Sequence, residues 1–418
     1  MEPFIYSGEV AGDERDMDAV ARFYVKCVLW LGKHDPLYIG AYFGPEAVRD
    51  EALTVTVPPD RIAGYAADLL ATLDRIDPDR LEGAGRTRRA YLLGMVGALK
   101  ARAEILAGQS LAFDAEVEAL FGVAAPDGGP DWYGELHAAL DAALPGSGDL
   151  AGRYQAFTAS YAVPRDRLEE VFRAAIAESR RRTREHIRLP AGEGLEVEYV
   201  GEACSRYVGG GRSLVRVSAD RPVTVGRALF CACREGYPGR HTMWAVREAS
   251  LVRDRGWIEH AVVPLASPLA TVCEGAARFA VDAAFPAADR VRFEEEVLFP
   301  LAGFDPADAA LVDAVGTAAA DLFFSGTARV AREYLGGSIS REDAFGLLRD
   351  VLLLSPERAE ARLRFVEEFR AYSAAANEGY RLVRDYVGTP DDPAQRWERF
   401  ARILTEPVMP GDLAGIPG

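Results

Sequence analysis

The chain has 418 residues, 49% of them hydrophobic, and a formal net charge of −16. That is enough apolar material for a large core, or for two domains sharing one interface, and the interspersed charges exclude a disordered chain. An acidic surface of this size speaks against nucleic acid and membranes as partners.

Residues 1–190 read as consecutive helices. The segment from Met1 to Tyr6 lacks a basic region followed by an apolar run, so no secretory signal is expected. A first helix over Asp16–Leu31 places Ala19, Phe23, Cys27 and Trp30 on one face. Pro58-Pro59-Asp60 opens a second helix, with proline in the first turn, where its missing N–H costs nothing. A third spans Arg80–Ala107, and Pro126–Pro130 reads as a loop. Pro164 starts a helix with Leu168, Val171, Phe172 and Ala175 as its buried stripe. The basic run Arg180–Arg188 reads as its solvated C-terminal end.

The period then changes. Leu195, Val197 and Tyr199 alternate with Glu196 and Glu198, which predicts a strand. The Gly209–Gly211 turn and a strand over Ser213–Ser218 complete the expected β pair. It is no phosphate loop, because no strand–loop–helix unit surrounds the glycines. Helix returns from Thr224 onward. The longest apolar run, Ala261–Phe285, is broken by Glu274, Arg278 and Asp282, which excludes a membrane span there. Arg278, four residues after Glu274, is a candidate surface partner for it. Ser355-Pro356 caps a helix expected to reach Val387, and the tail after Pro407 is expected to be loose. The organisation expected is a helical region 1–190 and a β-plus-helical region 191–418, packed as one unit.

Five cysteines at uneven spacing make no disulfide framework, so a cytoplasmic setting is expected. Cys27 reads as core, and Cys204, Cys231, Cys233 and Cys273 as small buried hydrophobes rather than catalytic thiols. His34, His137, His186 and His260 are scattered and read as structural.

The stretch that carries chemistry is Cys231–Trp244. Its residues Glu235, Tyr237, Pro238, Gly239 and His241 match a His-Glu-x-Tyr-Pro-Gly-His-His pattern, with Arg234 and Arg240 in place of two histidines. Further motifs follow in order: His34–Tyr38, Ala41–Glu46, Arg182-Thr183, the triple glycine, Gly256-Trp257, Cys273-Glu274-Gly275, Ser355–Glu360 and Asn377-x-Gly379. Together they resemble a family of largely helical zincin-like metallopeptidases over nearly the whole chain. The fold this resemblance implies is mainly α and gluzincin-like, with a small antiparallel β-sheet beside a cleft and an edge strand suited to peptide binding. It also implies a zinc held by two histidines and a glutamate, the latter matching Glu274, with Glu235 activating the bound water.

Arginine only donates and stays charged, so neither Arg234 nor Arg240 can replace a ligating histidine. His241 and Glu274 are the ligands left if a metal binds, and no cofactor is expected. On one helix, Arg234 and His241 would nearly share a face, but Pro238-Gly239 between them should distort it. An arginine beside Glu235 and Glu274 can supply the positive charge of the missing cation. The candidate catalytic residues are therefore Glu235 as acid or base, His241 and Tyr237. The candidate substrate contacts are Arg234, Arg240 and Tyr380, with Tyr372 and Tyr380 as possible oxyanion donors. The first reading is a metal-independent enzyme acting on a small or peptide-like substrate, in specialised metabolism. The alternatives are a non-catalytic pseudopeptidase that binds a peptide or partner, and a zinc metallopeptidase with an irregular ligand set.

Overall fold

A computed structural model describes residues 13–125, 133–201, 204–218, 221–389 and 392–415. The expected loop Pro126–Pro130 lies outside the described residues. With 69% of its residues helical, the chain is mainly α. One apolar cluster runs from Met17 to Leu413, so the stretches on either side of residue 190 share a core. A small second cluster, including Val330, Leu348 and Leu363, lies in the C-terminal half.

The first helix, Asp13–Leu31, buries Cys27 and Trp30 of the expected face, with Phe23 half-buried, but Ala19 is exposed. The next long helices are Pro59–Arg75 and Gly83–Leu106. The helix with the Leu168, Val171, Phe172 and Ala175 stripe spans Leu168–His186, so Pro164 stands one turn ahead of it. Arg181, Arg184 and Arg188 at its end are exposed, as expected of a solvated run, but Arg180 and Arg184 also reach the buried Glu193.

The strands need a larger correction. The first strand, β1 (Ile39–Tyr42), pairs antiparallel with the last, β5 (Val262–Pro264). Between them, β2 (Gly194–Val200), β3 (Cys204–Gly209) and β4 (Arg212–Ser218) form a sheet in the order β2-β4-β3. The triple glycine joins β3 to β4, while β2 runs parallel to β4, so the two expected strands are neighbours but not a hairpin. The sequence Cys204–Gly209 alternates too weakly to announce the strand between them. Gly209, Gly210 and Gly211 all have positive φ, which favours glycine at this turn.

The Glu274 helix, Pro268–Ala284, is almost wholly buried. It packs along the helix Tyr372–Val387 at a glycine crossing. A Cβ on Gly275 would lie 2.2 Å from the Gly379 carbonyl oxygen, and one on Gly379 would lie 2.0 Å from that of Thr271. Two motifs far apart in sequence therefore meet at one backbone contact. The helix capped by Ser355 stops at Phe369, not at Val387. Arg370 takes φ 46°, unusual for a residue with a side chain, and turns the chain into the next helix. The tail is also more ordered than expected: Val408 and Leu413 are buried, with a short helix over Pro410–Leu413. Among the described residues, one helical segment, Pro306–Leu335, is long and apolar enough by length and composition to cross a membrane.

Candidate functional site: an arginine–glutamate lattice

The helix Val225–Cys231, capped by the Thr224 hydroxyl, continues into a π-helical turn over Ala232–Gly236. Such widened turns displace side chains from the regular α-helical spacing. Tyr237 is extended, and a new helix, Arg240–Arg247, begins after Gly239. A Cβ on Gly239 would lie 2.2 Å from the Arg234 carbonyl oxygen, so this tight corner requires glycine. The break at Pro238-Gly239 removes the seven-residue register. Arg234 meets Arg240, not His241, across a shared pair of carboxylates.

Those carboxylates are Glu235 and Glu274. Arg234 donates from Nη2 to Glu274 Oε2 at 2.6 Å and from Nη1 to Glu235. Arg240 donates from Nη1 to Glu235 Oε2 at 2.9 Å and Oε1 at 3.1 Å, and from Nη2 to Glu274 Oε1. The Tyr372 hydroxyl donates to Glu274 Oε1 at 2.7 Å. Two cations and two anions thus form a closed lattice. The side chains of Glu235 and Glu274 are only 12% and 7% exposed, which limits screening by water. Burial alone would raise the Glu235 carboxyl; the charges of Arg240 and Arg234 outweigh it and hold it at about 2. Glu274 is likewise held below the usual carboxylate range, burial being outweighed by Arg240, Arg234 and the Tyr372 hydroxyl.

His241 belongs to a second buried network. Its Nε2 lies 3.0 Å from Glu193 Oε2 and its Nδ1 lies 2.8 Å from Ser213 Oγ on β4. The Tyr237 hydroxyl also donates to Glu193 Oε2, and Arg180 donates to Oε1 from Nη2 at 2.5 Å and from Nε at 3.0 Å. Burial opposes ionisation of Glu193, but His241, Tyr237 and Arg180 outweigh it and hold the carboxyl at about 2. An ionised Glu193 only accepts, so His241 Nε2 carries a proton toward it. Burial and the Glu193 carboxylate push the Tyr237 phenol far above its ordinary range.

The sequence-derived residues therefore divide into three places. Glu235, Glu274, Arg234 and Arg240 come together. His241 and Tyr237 sit with Glu193 in the other network. Tyr380 hydrogen-bonds Asp282 at 3.2 Å and stacks under Arg278, away from the lattice. Arg278 is no partner of Glu274; it pairs with Asp321 at 2.6 Å. The residues present do not fit a zinc ion. Both ring nitrogens of His241 are engaged, and both carboxylates of the lattice are taken by guanidinium groups. Among the described residues, no group of three or more His, Cys, Asp or Glu is arranged to hold a metal.

Sequence reasoning missed Glu193 and Ser213. A buried acid could have been sought as the partner of the basic run Arg180–Arg188. Ser213 carries no such signal, because a serine in a strand is unremarkable. Cys233 and Cys273 are buried, their thiols pushed up by burial to about 12 and about 11, while Cys204 is exposed and Cys231 half-buried. His34 and His137 bond backbone carbonyl oxygens at 2.7 Å, His186 stacks on Trp397, and His260 is buried against Tyr91.

No family model matches the chain, and no curated protein is similar to it. Solved structures do resemble it. A "putative lipoprotein" from Colwellia psychrerythraea aligns with a TM-score of 0.50 at 12% identity, over 87% of this chain and 70% of its own. A "putative lipoprotein of unknown function" from Shewanella oneidensis aligns at 0.45 and 14% identity, over 85% and 75%. The carboxypeptidase of Pyrococcus furiosus aligns at 0.37 and 12% identity, over 89% and 86%. What the Colwellia likeness establishes is a shared helical fold, and at these identities chemistry does not follow from it.

Proposed function

We propose that this chain is a non-hydrolytic relative of the helical zincin-like proteins, and that it binds a small or peptide-like ligand rather than cleaving one. The observation that carries this is the double engagement of Glu235 and Glu274 by Arg234 and Arg240. A general base works best with a pKa near the operating pH. Glu235, held at about 2, is a poor base at neutral pH. The same two arginines weigh against a metal-independent enzyme that uses Glu235 as acid or base. A cytoplasmic setting is proposed from the free cysteines; fractionation of producing cells tests it.

The decisive assay incubates the purified protein with a defined peptide pool, with and without added zinc, and reads cleavage by mass spectrometry. The reading expects no products above a buffer blank. Turnover that disappears in Glu235→Gln would overturn it.

A further inference from the structure

Close to the lattice lies a group of arginines that no acid among the described residues neutralises. Arg227 lies in the first turn of the helix Val225–Cys231, Arg221 precedes its Thr224 cap by three residues, and Arg358 and Arg362 lie on the helix Pro356–Phe369. Both helices pack on the long helix Ala309–Leu335. An aromatic shelf links them. Arg227 lies over the Phe230 ring at 5.2 Å, and Phe230 contacts Phe324 at 6.2 Å. Phe324 meets Phe323 at 5.3 Å, and Arg362 lies over Phe323 at 4.4 Å. Arg234 follows Phe230 by four residues in the same helical run, and its charge acts on Arg362.

The lack of carboxylate partners here is not for want of acids in the chain. The chain carries 64 acidic residues against 48 Lys and Arg, so carboxylates are in excess. Elsewhere arginines find them, as Arg88 finds Glu259 and Arg290 finds Asp313. None of Arg221, Arg227, Arg358 and Arg362 makes an ion pair or side-chain hydrogen bond among the described residues. Arg234 Nε is buried and also lacks an acceptor. Arg362 is held down at about 10, by burial and then by the charges of Arg358, Arg227 and Arg234. Burial and the charges of Arg227 and Arg221 also lower Arg358. Like charges this close repel, and their repulsion is relieved when an anion sits among them. Guanidinium forks match carboxylate and phosphate oxygens bidentately, and stacking on phenyl rings fixes the forks in advance.

We propose that Arg227, Arg358 and Arg362, on the Phe230–Phe323 shelf beside Arg234, form a binding site for a small organic polyanion bearing phosphate or clustered carboxylate groups. This deepens the binding role proposed above and rests on it. The acidic remainder of the surface repels such ligands, so the site concentrates them at one face.

The test is calorimetric titration of the full chain with pyrophosphate and with citrate at low ionic strength, where exposed charges are screened least. Wild-type protein is expected to bind at least one probe with Kd below about 1 mM. Pyrophosphate alone points to a phosphate ligand, citrate alone to a carboxylate ligand, and both to recognition of charge density; each supports the site. Arg227→Gln with Arg358→Gln is expected to weaken binding at least about tenfold and to leave the melting temperature of the free protein unchanged. Arg362→Lys keeps the charge but loses the planar fork, and is expected to weaken binding less than the double variant. No binding of either probe, or binding indifferent to the double variant, overturns the proposal. A positive peptide-cleavage assay would instead overturn the non-hydrolytic reading and leave the anion titration standing, so the two failures are distinct.

Discussion

The arginine–glutamate lattice makes a quantitative prediction for Arg240→Met. The change keeps the aliphatic stem and removes a guanidinium that contacts Glu235 at 2.9 Å and 3.1 Å and also engages Glu274. Removing one partner of a buried ion pair costs about 3–5 kcal/mol, because the other charge stays buried. Arg234 remains to hold both carboxylates, so the lower end applies. A second route gives a similar size. Holding Glu235 at about 2 rather than 4.5, at about 1.4 kcal/mol per pH unit, stabilises the fold by about 3 kcal/mol at neutral pH, and Arg240 is the larger of the two charges responsible. The sign follows from the direction. A depressed carboxyl contributes stability above its unfolded pKa and loses it as pH falls from 4.5 toward 2. Urea unfolding at pH 7 should therefore show Arg240→Met less stable by about 3 kcal/mol. The deficit should shrink at pH 3.5, where the wild type is losing the same contribution. A variant within about 0.5 kcal/mol of wild type at pH 7, or a deficit constant between the two pH values, would refute the lattice as a stabilising element.

Three further outcomes are expected. Arg234→His combined with Arg240→His places two imidazoles beside Glu274, the two-histidine, one-glutamate set of a catalytic zinc site. It should take up about one zinc per chain by elemental analysis, and no uptake would mean the arginines do not stand where a cation fits. Gly379→Ala forces a Cβ to 2.0 Å from the Thr271 carbonyl oxygen. It should cost about 3 kcal/mol or more by overpacking, and a melting temperature equal to wild type would refute the close crossing. Glu294 is fully buried with neither carboxyl oxygen bonded, and burial and then Asp313 raise it to about 8 against the Arg290 charge. A raised carboxyl means stability falls as pH rises from 4.5 to about 8 and levels above that. Glu294→Gln should flatten this slope in denaturant titrations across pH 5 to 8, and an unchanged slope would refute the dry setting of Glu294.

The helices were legible because their signals are local. Apolar spacing marked the first helix, proline and serine marked the starts at Pro59 and Pro356, and the Leu168–Ala175 stripe is buried as its spacing requires. What was not legible depends on partners distant in sequence. The parallel pairing of β2 with β4 cannot be read from alternation, which says which face is wet and nothing about strand order. Arg370 ends a helix with a positive φ that no glycine or proline announces, while its side chain bonds Glu116, 254 residues away. The site divides in the same way. Its four lattice residues were singled out together because they lie in two motifs. Glu193 escaped because it lies in neither motif, while its partners are Tyr237 and His241 of the motif stretch and Arg180 of the preceding helix.

The lattice also shows how two arginines can balance two buried carboxylates that a divalent cation would otherwise balance. A divalent cation between two carboxylates brings two positive charges, and two arginines bring the same number. Glu235 and Glu274 are therefore compensated by the two guanidinium groups. Two properties differ. A zinc ion accepts electron pairs and polarises water, whereas a guanidinium only donates hydrogen bonds. A zinc ion also keeps a position open for substrate, whereas Arg234 and Arg240 bond across both carboxylates and fill it. The two arginines balance the charge between the helix Pro268–Ala284 and the turn that carries Glu235. Under the proposed binding role, a ligand drawn to this face would meet the arginines of the aromatic shelf.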